Sequence, residues 1–143
     1  MEAGVAGAFV SAWLVVLCVY DIRERRLPNW LTMPGALAIL AGAAAVGHGL
    51  PALLGAIGLA SLYLVVHLMS PVAMGAGDVK LAAGVGGLTG TFGFYVWALG
   101  AVIAPLLTAM WACVCVVRRS ETAVPHGPSM CLATVGAMTL AIV

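Results

Sequence analysis

Charge is what this chain has least of. Only 8% of its 143 residues are Asp, Glu, Lys or Arg, against about 25% in ordinary soluble domains. Hydrophobic residues make up 64%, and the mean hydropathy is +1.15. A soluble core of this size cannot hide so much apolar surface, so lipid is the expected solvent. Paired metal-binding cysteines are missing as well. Cys18, Cys113, Cys115 and Cys131 sit in apolar runs and form no C-x-x-C pair, which argues against a zinc ribbon or a disulfide framework. No nucleophile elbow, phosphate loop or dinucleotide fingerprint occurs. The net charge of +1 offers nothing in favour of nucleic acid, and no such partner is expected.

What is present is a series of apolar runs. Six of them approach the roughly 20 residues that a helix needs to cross a hydrocarbon core. They cover 4–20, 30–46, 51–69, a Gly-rich stretch 78–90, then 93–117 with Pro105 as an expected kink, and 127–143. The fourth and fifth runs are tight. From Lys80 to Arg118 a helix covers about 57 Å at about 1.5 Å per residue, roughly what two crossings need. The fourth helix is therefore expected to be short, tilted or partial, with glycines suited to close packing. The first run follows Met1-Glu2-Ala3-Gly4 without a basic flank, and reads as a retained membrane helix rather than a cleavable signal. One domain over 1–143, an all-α polytopic bundle of about six membrane helices, is the expected fold.

The few charges fix an orientation. The basic residues fall after the first run (Arg23, Arg25, Arg26), at the start of the fourth (Lys80) and after the fifth (Arg118, Arg119). Six crossings put these three places on one side, which the positive-inside rule makes cytoplasmic. Both termini and the uncharged loops at 47–50 and 89–91 then face outward.

Asp21 and Asp78 are the only aspartates, and each marks a helix end on that same side. Alone, Asp21 reads as a solvated helix end and Asp78 as an N-cap. Together they suggest a site, because carboxylates at a membrane border are costly. Gly75 and Gly77 bracket the approach to Asp78 and let backbone or substrate come near without a Cβ clash. Two carboxylates held close share one proton. The charged one can take a proton from an attacking water while the other donates to a peptide carbonyl or leaving amine. This chemistry needs no metal and no cofactor, and none is expected. The helix dipole favours the anion at Asp78 and disfavours it at Asp21, suggesting Asp78 as base and Asp21 as acid. Arg23 and Arg25 oppose that at Asp21, and the pair titrates as a unit. The histidines suit a metal site poorly: topology separates His48 from His67 and His126, and His67 reads as a helix-packing residue.

These residues carry a family resemblance. Gly75-Ala76-Gly77-Asp78-Val79-Lys80-Leu81 resembles the G-x-G-D-x-K-L motif of type IV prepilin peptidases. Asp21-Ile22-Arg23-Glu24-Arg25-Arg26-Leu27-Pro28-Asn29 resembles their other active-site segment, an Asp, a basic loop and then an apolar-Pro-Asn. Val124-Pro125-His126-Gly127-Pro128 resembles the Pro-x-Gly-Pro that opens their last helix. The resemblance covers the chain from about Tyr20 onward. It implies a multi-pass protein of the plasma membrane, an aspartic endopeptidase whose catalytic residues match Asp21 and Asp78. Its site faces the cytoplasm and cuts the basic leader from pilin-like partners just before their hydrophobic segment. Pro28, Asn29, Gly75, Gly77, Lys80, Pro125, Gly127 and Pro128 would support substrate or site, with Lys80 tuning the neighbouring carboxylate or binding substrate backbone. Larger members also methylate the new N-terminus and carry an insert with paired C-x-x-C motifs. This chain has no such motif and resembles the short branch serving Flp/Tad-type pili, in which methyl transfer is doubtful. His126 stands where many relatives have an aromatic residue, and no role is attached to it.

Two other readings compete. Tyr20-Asp21 with the Gly75–Asp78 motif also resembles the signal-peptide-peptidase and presenilin class, but a Pro-Ala-Leu motif is absent. A small transporter or assembly subunit would use the aspartates as a proton relay, yet no acid lies at midplane to complete a path. The basic cluster after the first run reads chiefly as a topology and lipid-headgroup determinant.

Overall fold

The six apolar runs become six α-helices in the computed structural model, which describes residues 2–120 and 124–143. They are α1 (Glu2–Glu24), α2 (Asn29–Ala45), α3 (Gly49–Met69), α4 (Ala76–Thr91), α5 (Phe94–Val117) and α6 (Gly127–Ile142). No strand occurs among the described residues. Met1 and residues 121–123 lie outside them, so the reading of the first run from its Met1 flank has no structural counterpart.

Three helices, α1, α3 and α5, are long and apolar enough to cross a membrane. The shorter α2 and α6 are also apolar. At 16 residues, α4 extends about 24 Å, less than a roughly 30 Å hydrocarbon core. It is also the hub of the bundle, packing against α2, α3, α5 and α6. Its C-terminal two-thirds is almost wholly buried, from Leu81 and Ala82 through 84–90. A helix wrapped by protein on every side has no lipid face to match to the bilayer, so its shortness costs little.

Glycine makes that hub possible. Lipid tails are as apolar as the helices, so association depends on close packing rather than on excluding water. A Cβ at Gly55 of α3 would collide with the Gly86 carbonyl oxygen, and one at Gly90 would lie 2.6 Å from that of Pro51. The backbones of α3 and α4 therefore touch directly. Trp97 of α5 closes over the crossing and donates from Nε1 to the Gly55 carbonyl at 3.0 Å. On the other flank Trp13 of α1 wedges between α2 and α4, against Gly35 and Gly84, and donates from Nε1 to the Leu31 carbonyl at 2.9 Å. The buried hydroxyls of Thr89 and Thr134 return to carbonyls one turn back, Val85 and Met130, at 2.8 Å, which satisfies them without a partner helix.

Helix ends differ from expectation where turn chemistry decides. α1 runs on through Asp21 to Glu24, and Arg25 stops it with a left-handed φ of 49°. α4 begins two residues before Asp78. The turn after it falls at Phe92 and Gly93 rather than at 89–91, because Gly93 takes φ +103°. His67 does more than pack: its Nδ1 donates to the Met74 carbonyl at 2.6 Å and closes the 70–75 loop ahead of α4. All four cysteines are free.

The chain order places one end of every helix together. Asp21 near the end of α1 meets Gly127 at the start of α6, and Leu27 between α1 and α2 meets Gly77 at the start of α4. α5 passes Thr89 with its Gly100 and reaches His126 with its Thr108, so Arg118 and Arg119 follow at that same end. The six basic residues therefore gather where the two aspartates are.

Candidate active site

Asp21 is placed by the last turn of α1. Nine-tenths of its surface is covered, with only 7% exposed. A buried carboxylate needs donors, and one comes from across the bundle: the Gly127 N–H, first of α6, meets Oδ2 at 2.9 Å. That amide is one of the unpaired donors of a helix N-terminus, pointing where an anion is favoured. Glycine is required for the approach. A Cβ at Gly127 would sit 2.6 Å from Oδ2 and 3.0 Å from Cγ of Asp21.

Asp78 is placed by the first turn of α4. It is not the N-cap: that is Gly75, and Asp78 stands three residues further on, its Oδ2 accepting the Gly75 N–H at 3.2 Å. The two aspartates thus have parallel arrangements, each carboxylate taking one backbone N–H at a helix start. The bonds favour the anion at both, and the expected bias toward Asp78 as the charged partner is weakened by the donor that Asp21 gains from α6.

Asp21 and Asp78 line one cavity of about 370 Å³, whose wall also includes Arg25, Arg26, Leu27, Asn29, Gly75, Ala76, Gly77 and Lys80. This single space collects most of the residues marked in the sequence. Lys80 Nζ donates to Asn29 Oδ1 at 2.6 Å and ties α4 to the start of α2. Gly77 packs on Leu27, where a Cβ would come within 3.1 Å. Gly75 is different: a Cβ there would meet Asp78 Oδ2 at an ordinary 3.6 Å, so its glycine is not demanded by contact with the carboxylate. Pro28 stands behind the wall as the N-cap of α2, its carbonyl accepting the Thr32 hydroxyl at 3.2 Å. Pro125 and Pro128 flank the His126-Gly127 turn and do not line the cavity. Arg25 and Arg26 do line it, beyond the topological role read from the sequence.

The described residues contain no group of three or more His, Cys, Asp and Glu side chains able to hold a metal. The arrangement is two acids and three cations around one cavity, which suits hydrolysis by paired carboxylates. Sequence reasoning missed the residues behind the site. Tyr63 of α3 and Thr108 of α5 both reach His126, and the only signals were their single hydroxyls inside mostly apolar runs.

Residues 8–117 match the model of the type IV leader peptidase family. Over 138 residues the chain is 30% identical to the prepilin leader peptidase/N-methyltransferase of Xanthomonas campestris pv. campestris, covering 91% of this chain and 48% of that protein. The chain thus spans about half the length of that relative. No solved structure matches.

Proposed function

Because the chain belongs to the type IV leader peptidase family, we propose that it is a membrane aspartic endopeptidase that removes the basic leader from pilin-like substrates, with Asp21 and Asp78 as its catalytic pair. The observation that carries this reading is the shared cavity: two aspartates from distant parts of the chain line one space at the basic end of the bundle. A proton relay across a membrane has no need of such a pairing.

In the proposed reaction the pair holds one proton. The ionised carboxylate takes a proton from a water whose oxygen attacks the scissile carbonyl carbon, while the protonated carboxyl donates to the carbonyl oxygen. Collapse of the tetrahedral intermediate breaks the C–N bond, and the leaving amine receives a proton from the pair. The Gly127 and Gly75 amides fix the two carboxylates without blocking their second oxygens. Lys80, held by Asn29, adds positive charge beside Asp78. The basic residues at this end favour a cytoplasmic-facing site by the positive-inside rule, where a leader still attached to its membrane helix would arrive laterally. No C-x-x-C pair occurs in this sequence, so methyl transfer is left out of this reading, and Flp-type pilins are the substrates proposed.

Co-expression with pilin-like proteins encoded in the same genome tests the proposal. The protein should shorten at least one of them by its basic leader, seen as a gel shift and located by the mass of the mature N-terminus. Unchanged masses for all of them, with the protein present in the membrane, would refute it.

A further inference from the structure

Behind the candidate site lies a chain of side chains that the reaction above does not use. The Thr108 hydroxyl donates to the Ala104 carbonyl at 3.1 Å. A hydroxyl has one hydrogen, so toward His126 Nδ1, 2.5 Å away, the Thr108 oxygen accepts. That fixes the proton of a neutral imidazole on Nδ1 and leaves Nε2 as an acceptor. The Tyr63 hydroxyl, 3.0 Å from Nε2, then donates to it. Burial holds the His126 imidazole below its ordinary pKa, consistent with the neutral form. Tyr63 is only 4% exposed, and lies within electrostatic reach of Asp78. No buried side-chain nitrogen or oxygen lacks a partner among the described residues, so the three-residue chain is complete in itself.

The residue after His126 is Gly127, whose N–H holds Asp21. His126 is the N-cap of α6 but makes no side-chain cap bond to its own helix. Both ring nitrogens face outward to α3 and α5 instead. The imidazole therefore pins the start of α6 to two other helices, and the next peptide in the chain presents its amide to the acid.

We propose that His126 is a positioning residue for cleavage: clamped by Tyr63 and Thr108, it sets the Gly127 amide on Asp21 and so holds that carboxylate in register with Asp78. This rests on the peptidase reading above. His126→Ala should lower kcat about 10- to 100-fold, the range expected when a reacting group is misplaced by about 1 Å, with KM within about twofold because no substrate contact is lost. His126→Gln, which keeps a donor and an acceptor, should restore part of the rate. A merely structural role would not sort the two variants this way at equal membrane levels.

An independent measurement reads the amide itself. Only two His-Gly pairs occur, His48-Gly49 and His126-Gly127, so carbonyl-labelled histidine with ¹⁵N-glycine isolates two amide signals. In Tyr63→Phe and Thr108→Val, which keep side-chain shape, the Gly127 amide proton should move upfield, as it should in Asp21→Asn, while Gly49 stays. An unmoved Gly127 signal in both clamp variants would overturn the proposal whatever the activity. So would wild-type kcat in His126→Ala. If the wild type cuts no pilin-like substrate, the peptidase reading fails and takes the catalytic part of the proposal with it, and the amide shift then decides the positioning contact alone.

Discussion

A methyl group added at Gly127 has nowhere to go but into the Asp21 carboxylate. The Cβ would lie 2.6 Å from Oδ2, 3.0 Å from Cγ and 3.2 Å from Cβ of Asp21, so either the carboxylate rotates away or α6 retreats. Both break the 2.9 Å bond from the Gly127 amide. Hydrogen bonds to charged groups contribute about 1.5–3 kcal/mol. If that stabilisation is needed in the transition state, kcat/KM for leader removal falls roughly 10- to 150-fold in Gly127→Ala. The helix itself should not suffer, because alanine is the better helix former by about 1 kcal/mol. Gly136, on the same helix with nothing within 4 Å of the place its added methyl would take, is the control: Gly136→Ala should cut like wild type. The assay is the rate of leader removal at matched membrane levels. Wild-type cleavage by Gly127→Ala would refute the claim that this amide holds Asp21 in its working position.

Other perturbations follow from the same contacts. Gly75→Ala keeps its N–H and meets Asp78 at an ordinary 3.6 Å, so cleavage should fall by no more than about twofold, far less than for Gly127→Ala. Gly55→Ala and Gly86→Ala force apart the backbones of α3 and α4, and each should cost about 1–3 kcal/mol, read as a lower unfolding midpoint in detergent. Asn29→Ala and Lys80→Met should be non-additive in kcat/KM, since one 2.6 Å bond links the two side chains; full additivity would show that the bond is idle. The rate should trace a bell against pH. With both carboxyls protonated there is no base, and with both ionised there is no acid; a rate that rises to a plateau with pH would contradict one shared proton.

Much of this was legible in the sequence, for reasons that differ from residue to residue. The helices stood out because lipid allows few alternatives: an apolar run near 20 residues has to satisfy its backbone internally. The start of α4 was misplaced by two residues because Gly75, with no side chain to mark it, serves as the N-cap. The turn at Gly93 hid for a similar reason, since its positive φ is not written in the pattern of apolar residues. Asp21 and Asp78 were visible as rare charges at run boundaries. The donor to Asp21 was not, because the Gly127 amide belongs to a helix more than a hundred residues away. Tyr63, Thr108 and His126 come from three separated segments, and only the packing of α3, α5 and α6 around one end of the bundle brings them together.

The central claim is that Asp21 and Asp78 act as one catalytic pair, and the most direct test is leader removal by Asp21→Asn and Asp78→Asn at membrane levels equal to wild type. Each change keeps the size of the side chain and removes its charge and acidity. The account predicts complete loss of cleavage in either single variant, with the double variant no worse. Cleavage at the wild-type rate by either one would contradict it.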